Sequence, residues 1–369
     1  MSNFLKEALK STGNKYANIV EDGVTAGDFI GFVDTGSYTF NALLCGSIYG
    51  GSPNGKILGL AGETGVGKTY FMLSQIYHFL KANPTGAAVC FETESAMTKD
   101  MIVKRGIDPR RMAILPVSTI QEFRTQACRI LDDHLAMPEK ERIPLFFGLD
   151  SLGNISTTKE IEDVTSGSDK KDMTRAQLIK ATFRVLTLRL GLAKIPMIVT
   201  NHTYSEIGTM YPKEIMNGGR GLYFAASNIV FLTKSKEKDG TDVVGNTISL
   251  RLEKGRLTKE NSKVKTQLFY ERGLDRYFGL IDIGLEAGIF EKSSTKIKMP
   301  DGTTHFEKHI YSNPEKYFTK DILDRLDAAC KEKFLYGTDK VVDNDEELCD
   351  NDTEEEIVIP KTVRKTKGK

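Results

Sequence analysis

Cysteine is sparse and unpaired in this sequence. Its five residues, Cys45, Cys90, Cys128, Cys330 and Cys349, are scattered and form no C-x-x-C pair. That argues against a disulfide-built scaffold or a cysteine zinc site and reads as reduced thiols in a cytoplasmic protein. No apolar run is long enough to span a bilayer, and the opening "MSNFLKEALKSTGNKYA" lacks the apolar core and cleavage site of a secretory leader. An excess of one charge is also missing. The 51 Lys and Arg balance 50 Asp and Glu, leaving a formal net charge of +1. No global basic field points to nucleic acid, so any such surface has to be a local patch. Internal repeats are absent.

What is there is globular. The chain has 369 residues, 40% hydrophobic and 27% charged, enough for one large α/β domain with appendages or for two domains. Residues 1–34 combine a short amphipathic stretch (Phe4, Leu5, Ala8, Leu9) with polar turns. From Gly36 to about Phe290, apolar strand-like runs alternate with helical patterns, as βα units around a largely parallel sheet require. The strand candidates are "KILGLAG", "AAVCFE", "MAILPV", "PLFFGLD", "MIVTNH" and "NIVFLT". A helix is expected over 173–194, with Leu178, Ala181, Val185, Leu188 and Leu192 as its apolar stripe. Residues 291–337 read as a small α/β appendage whose helix, "FTKDILDRLDAACKEKF", takes Thr319 as N-cap. Residues 338–369 are rich in acids and then end in "KTVRKTKGK", which reads as a disordered, charge-segregated tail.

The strongest local signal is "GETGVGKT", comprising Gly62, Glu63, Thr64, Gly65, Val66, Gly67, Lys68 and Thr69, with Tyr70 next. It satisfies G-x-x-x-x-G-K-[ST] between a strand and a helix. Glycines let several backbone N–H groups point at one phosphate, and the helix start adds partial positive charge. Lys68 then reaches the β- and γ-phosphates of ATP, and the Thr69 hydroxyl binds Mg²⁺. "IPLFFGLDS" supplies a strand ending in Asp150, the acid such a site needs for Mg²⁺ or its water.

"FETES" places Glu92 and Glu94 two residues apart after an apolar run, on one face of an extended chain. Either they are solvated strand-end acids, or one activates the water that attacks the γ-phosphate, with Glu94 the better candidate. His202, at the end of "MIVTNH", is either a satisfied strand-end residue or a reader of the γ-phosphate. Two long connectors follow strand ends: "ISTTKEIEDVTSGSDKKDM", and residues 205–221, "SEIGTMYPKEIMNGGRG". Such loops are functional or mobile. The glycines, Lys213, Arg220 and apolar side chains of the second suit phosphodiesters and bases.

Taken together, these motifs make the chain resemble the RecA-like strand-exchange recombinases, most closely those of tailed phages. The resemblance runs from "VDTGSYTFNALLCGSIYGG" to about Phe290 and includes "FETES", "GLDSLGN", "DMTRAQ", "TNHTY", "NGGRGLYFAAS", "LEKGRLTKE" and "DRYFGLIDIG". It implies an α/β fold: a RecA-type P-loop NTPase core over 35–290, an N-terminal oligomerisation segment over 1–34 and the C-terminal appendage. It implies Glu94 as catalytic glutamate, Asp150 and Thr69 at the metal, and His202 in place of a glutamine sensor. Lys254 and Arg256 would reach the neighbouring protomer's ATP. Arg175, Ile207, Lys213, Gly218, Gly219 and Arg220 would lie at or near the DNA. Met101 stands where the bacterial recombinase stacks an aromatic on adenine. The implied activity is a DNA-dependent ATPase that forms filaments on single-stranded DNA and pairs it with double-stranded DNA. Its partners would be further copies of itself, a recombination mediator and a single-strand-binding protein, and no membrane. Its place would be the host cytoplasm if phage-encoded. A hexameric helicase or motor and a passive DNA-coating protein are the rival readings.

Overall fold

Apolar runs bounded by Gly, Pro and Asn become strands here because both sheet faces are covered and the central runs bury most of their side chains. The computed structural model describes residues 3–167, 173–205, 214–239 and 242–337. The tail read over 338–369 and the positions Ile207 and Lys213 lie outside them.

The chain opens with α1 (Asn3–Ser11), β1 (Phe32–Val33), α2 (Tyr38–Cys45) and β2 (Ser52–Pro53). Next come β3 (Ile57–Gly62), α3 (Lys68–Ala82), β4 (Ala87–Glu92), α4 (Lys99–Lys104), β5 (Met112–Pro116), α5 (Ile120–Ala136) and β6 (Leu145–Asp150). Helices α6 (Thr158–Thr165) and α7 (Arg175–Ala193) precede β7 (Met197–Ser205), β8 (Glu214–Met216) and α8 (Gly221–Ala225). Then follow β9 (Asn228–Asp239), β10 (Asp242–Gly255), β11 (Lys263–Phe269), β12 (Gly273–Leu274) and α9 (Leu280–Glu286). A small sheet, β13 (Glu291–Ser293), β14 (Lys296–Lys298) and β15 (Thr304–His305), leads to α10 (Glu307–Ser312), α11 (Pro314–Tyr317) and α12 (Lys320–Phe334).

The main sheet has the order β12-β11-β10-β9-β3-β7-β6-β4-β5, with β8 on the end of β7. From β9 to β5 every pairing is parallel, and those six strands contain the six expected from sequence. The antiparallel extension β10–β12 was not anticipated: β10, "DVVGNTISLRLEKG", mixes Gly, Asn and charge and lacks a buried-strand signature.

Two cores flank the sheet. Ala88 and Cys90 of β4 face one with Phe40, Phe71 and Leu73, whereas Phe91 faces the other with Phe123, Phe147 and Phe183. Alternate strand residues thus enter opposite cores, the period-two rule of an extended chain. Helix α7 falls within its expected span, but its buried face is Ile179, Phe183, Leu186 and Leu190. Val185 and Leu188 of the expected stripe are 37% and 60% exposed. Apolar residues ring this helix, so spacing alone does not choose the buried side.

The first connector also differs from expectation. It contains α6, started by a reciprocal capping box between Thr157 and Glu160. Thr319 does occupy the N-cap of α12, without a side-chain capping bond. Helix α12 packs back on the core: Asp327 accepts from Ser47 Oγ at 2.6 Å and from the Ile48 amide at 2.9 Å. At its end, the Lys259 amide donates to the Phe334 carbonyl at 2.7 Å, and Thr258 bridges to Leu335.

Candidate functional site

Strand β3 ends at Gly62 and the chain turns through Glu63–Gly67 into the 15-residue α3. A Cβ on Gly62 would lie 2.6 Å from the Leu232 carbonyl, so no side chain fits. Gly67, the N-cap of α3, sits at φ +103°, a left-handed conformation that favours glycine. Val66 buries its side chain and anchors the turn. The result is a glycine-rich turn feeding a helix start, where free backbone N–H groups suit phosphate.

Lys68 is 6% exposed, and its Nζ donates to the carbonyls of Gly62 and Glu63, both at 2.9 Å. Burial lowers its pKa and Lys234 acts in the same direction, against Asp150 and Glu94. Thr69 Oγ1 donates to Asp150 Oδ2 at 2.6 Å, and Thr200 Oγ1 donates to the other oxygen. Burial raises the Asp150 pKa more than these hydroxyls lower it, and Glu94 adds to the rise. A hydroxyl and a buried carboxylate side by side form a donor set that fits Mg²⁺ shared with phosphate oxygens. Among the described residues, no cluster of three or more His, Cys, Asp or Glu could hold a metal by itself.

The two acids of "FETES" part company. Strand β4 ends at Glu92, and the chain then bends, with Ser95 at φ +54°. Glu92 is buried and accepts from the Ala96 amide at 2.6 Å, closing that bend. The expected shared face is therefore lost, because extended geometry stops between them. Glu94 Oε1 accepts from Ser151 Oγ at 2.5 Å and from His202 Nε2 at 2.8 Å. Burial alone would push its pKa up, but the Ser151 and His202 hydrogen bonds outweigh it and hold the carboxyl below its ordinary value. His202 Nδ1 lies 3.4 Å from Thr64 Oγ1 of the glycine-rich turn. One imidazole therefore joins the candidate base to the phosphate loop.

Sequence reasoning missed Thr93, Ser151 and Thr200. Thr93 Oγ1 donates to the Ser151 carbonyl at 3.0 Å and ties the ends of β4 and β6 together. In sequence these hydroxyls look like ordinary strand residues; only the hydroxyl directly after a strand-end Asp was a usable hint.

Of the residues assigned to DNA, Arg175 points inward, donating to the carbonyls of Ile155 at 2.9 Å and Gly153 at 2.7 Å. It holds the start of α7 against the turn after Asp150. Gly218 and Gly219 sit at φ +81° and +76° where the second connector returns. The Asn217 amide donates to the His202 carbonyl at 3.0 Å, so that return is attached to the same strand as the imidazole. Arg220 lies 5.7 Å and 5.6 Å from the ring centroids of Tyr223 and Phe224.

Lys254 and Arg256 are not brought to this chain's phosphate loop. Lys254 pairs with Ile229 near the start of β9, the end of the sheet opposite Gly62. Its Nζ donates to the Tyr223 carbonyl at 2.6 Å, and burial, then Arg256, lowers its pKa. Met101 packs partly buried against the core, while Arg105 stacks over Tyr70 at 3.8 Å.

Comparison with known proteins agrees with this geometry. Residues 3–275 match the family described as RecA N-terminal domain. The chain is 34% identical over 252 residues to the recombination and repair protein of Enterobacteria phage T4, covering 68% of this chain and 63% of that protein. It is 25% identical over 287 residues to protein RecA of Malacoplasma penetrans, covering 75% and 84% of the two chains. Against protein RecA of Paenarthrobacter aurescens, identity is 25% over 323 residues, covering 86% and 87%.

Proposed function

The chain belongs to the RecA family, and from that premise we propose that it is a single-strand-DNA-dependent ATPase that polymerises on DNA and catalyses homologous pairing and strand exchange. The observation that carries this reading is the Glu94–His202–Thr64 connection, which links a candidate base to the phosphate loop and, through β7, to a DNA connector.

The segment Gly62–Thr69 would bind the phosphates of ATP, with Tyr70 next to it in the first turn of α3. Thr69 and Asp150 would hold Mg²⁺, which when bound neutralises charge developing on the phosphate oxygens. Glu94, held ionised, would accept a proton from the attacking water. Lys254 and Arg256, remote from their own chain's nucleotide, would serve the ATP of the adjacent protomer in a filament.

Gly218, Gly219 and Arg220, with Ile207 and Lys213 of the second connector, would face DNA, while Arg175, turned inward, would hold the start of α7 near that surface. Residues 1–34 would dock on the neighbouring copy, and the acidic part of 338–369 would compete with DNA or recruit a mediator or single-strand-binding protein. The host cytoplasm would be its place if phage-encoded. Among the described residues, no helix is long and apolar enough to cross a membrane.

The test is ATP hydrolysis by the purified chain with and without single-stranded DNA, beside Glu94→Gln. DNA should stimulate hydrolysis, and the variant should bind ATP yet lose about 10²–10⁴-fold in turnover, the range for a positioned base. If DNA leaves the rate unchanged, the connectors have been misassigned.

A further inference from the structure

Strand β3 has two parallel neighbours, and each sends one polar side chain to the turn that β3 feeds. On the β7 side, His202 is in register with Gly62 and approaches Thr64. On the β9 side, Leu232 is in register with Gly62. Lys234 stands two residues further on the same face. Its Nζ donates to the Gly65 carbonyl at 2.8 Å. Gly65, at φ +73°, has no side chain to hold the ammonium away, and a Cβ there would lie 3.3 Å from Nζ. The cation is also near enough to Lys68 to oppose its charge.

Two lysines thus bracket one turn. Lys68 holds its entry through Gly62 and Glu63, and Lys234 holds its tip through Gly65. An ammonium carries three donors, so the bond to Gly65 leaves Lys234 able to engage phosphate oxygens. Like charges converging on an amide-lined turn repel each other until an anion lies between them, and the benefit grows with the anion's charge.

Resting on the reading that this turn binds ATP, we propose that Lys234 is a phosphate-positioning residue acting within its own chain. It fixes the tip of the turn and adds a second lysine charge to the triphosphate site. In "FLTKSKEK" it reads as a solvated strand-end cation; its register with β3 makes it more than that.

The test uses full-length wild type, Lys234→Ala and Lys234→Arg with Mg²⁺. Each is titrated with a fluorescent ATP analogue and with ADP in the absence of DNA, then assayed for hydrolysis with single-stranded DNA. The alanine variant should bind the ATP analogue about tenfold more weakly, the scale of one hydrogen bond to a charged group. It should lose less affinity for ADP and raise KM while keeping kcat at saturating ATP. Arginine should restore most of the affinity. Unchanged affinity in Lys234→Ala overturns the proposal. So does equal weakening of ATP and ADP, or failure of arginine to rescue, since either would reduce Lys234 to loop scaffolding. If wild type itself binds no ATP, the underlying ATP-site reading falls with it.

Discussion

Burying a carboxylate as deeply as Asp150 costs the fold something at neutral pH. Its pKa is raised from an ordinary 3.8, chiefly by burial. The native state therefore gains from this group below that ordinary value and loses the gain as pH rises through the folded value. Asp150→Asn should stabilise the nucleotide-free protein at pH 7 by about 1 kcal/mol, roughly 2 °C in Tm, and abolish Mg²⁺-dependent hydrolysis. Thermal melts should show the advantage shrinking in acid; an advantage that persists at low pH would contradict this origin. Glu94 goes the other way, held below its ordinary value and so ionised at neutral pH. Two neighbouring acids pushed apart in pKa suit different tasks. At this scale the phosphate loop was legible, because G-x-x-x-x-G-K-T names its own spacing. Glu94 already reads as the better candidate base there, but what separates it from Glu92, a bend after β4 that breaks their shared face, was not legible. Nor were Thr93, Ser151 and Thr200, whose roles depend on strand order.

Among the elements, β7 joins the candidate base to the return of the second connector. It presents His202 to Glu94 and, through the same residue's carbonyl, receives Asn217 at the return of the second connector. Strand β8 then pairs Met216 with Thr203 and Ile215 with Tyr204. A displacement of His202 at the phosphate loop has a direct backbone route to that connector. His202→Ala should keep ATP binding but lose stimulation of hydrolysis by single-stranded DNA. Titration and steady-state assays would check this; a normal response to DNA would remove β7 as the link. The six parallel strands were legible as short apolar runs between breakers. Helix α6 was not recognised despite its Thr157–Glu160 box, because its surroundings are polar. The face of α7 was misjudged because both sides of that helix are apolar.

For the whole molecule, the informative fact is distance. Lys254 and Arg256 sit at the end of the sheet away from Gly62. They can serve a nucleotide only between copies, as the proposed filament requires. Lys254→Ala should bind ATP normally, lose about 10³-fold in hydrolysis if the lysine acts as a cation supplied in trans, and fail to form the ATP-dependent extended filament. Electron microscopy with single-stranded DNA, with and without ATP, would show either outcome. Closed rings in place of helical filaments would favour a motor. The resemblance to recombinases implies this use between protomers, whereas spacing and composition alone do not place the two residues, because their position depends on β10 running antiparallel to β9.

The hydrogen bonds from Ser47 and Ile48 to Asp327 bear on how this chain can be divided. The residues that follow position 290 look in sequence like a detachable module. Yet α12 inserts Cys330 and Phe334, both fully buried, into the same core as Phe40 and Phe71. A protease nick near 290 would leave two pieces still held together, and a chain ending there would expose the underside of α2. Grafting the last segment of a relative onto this core would succeed only if the donor also supplies a carboxylate for the 47–48 turn. The 47–48 turn and α12 are, in this respect, one unit.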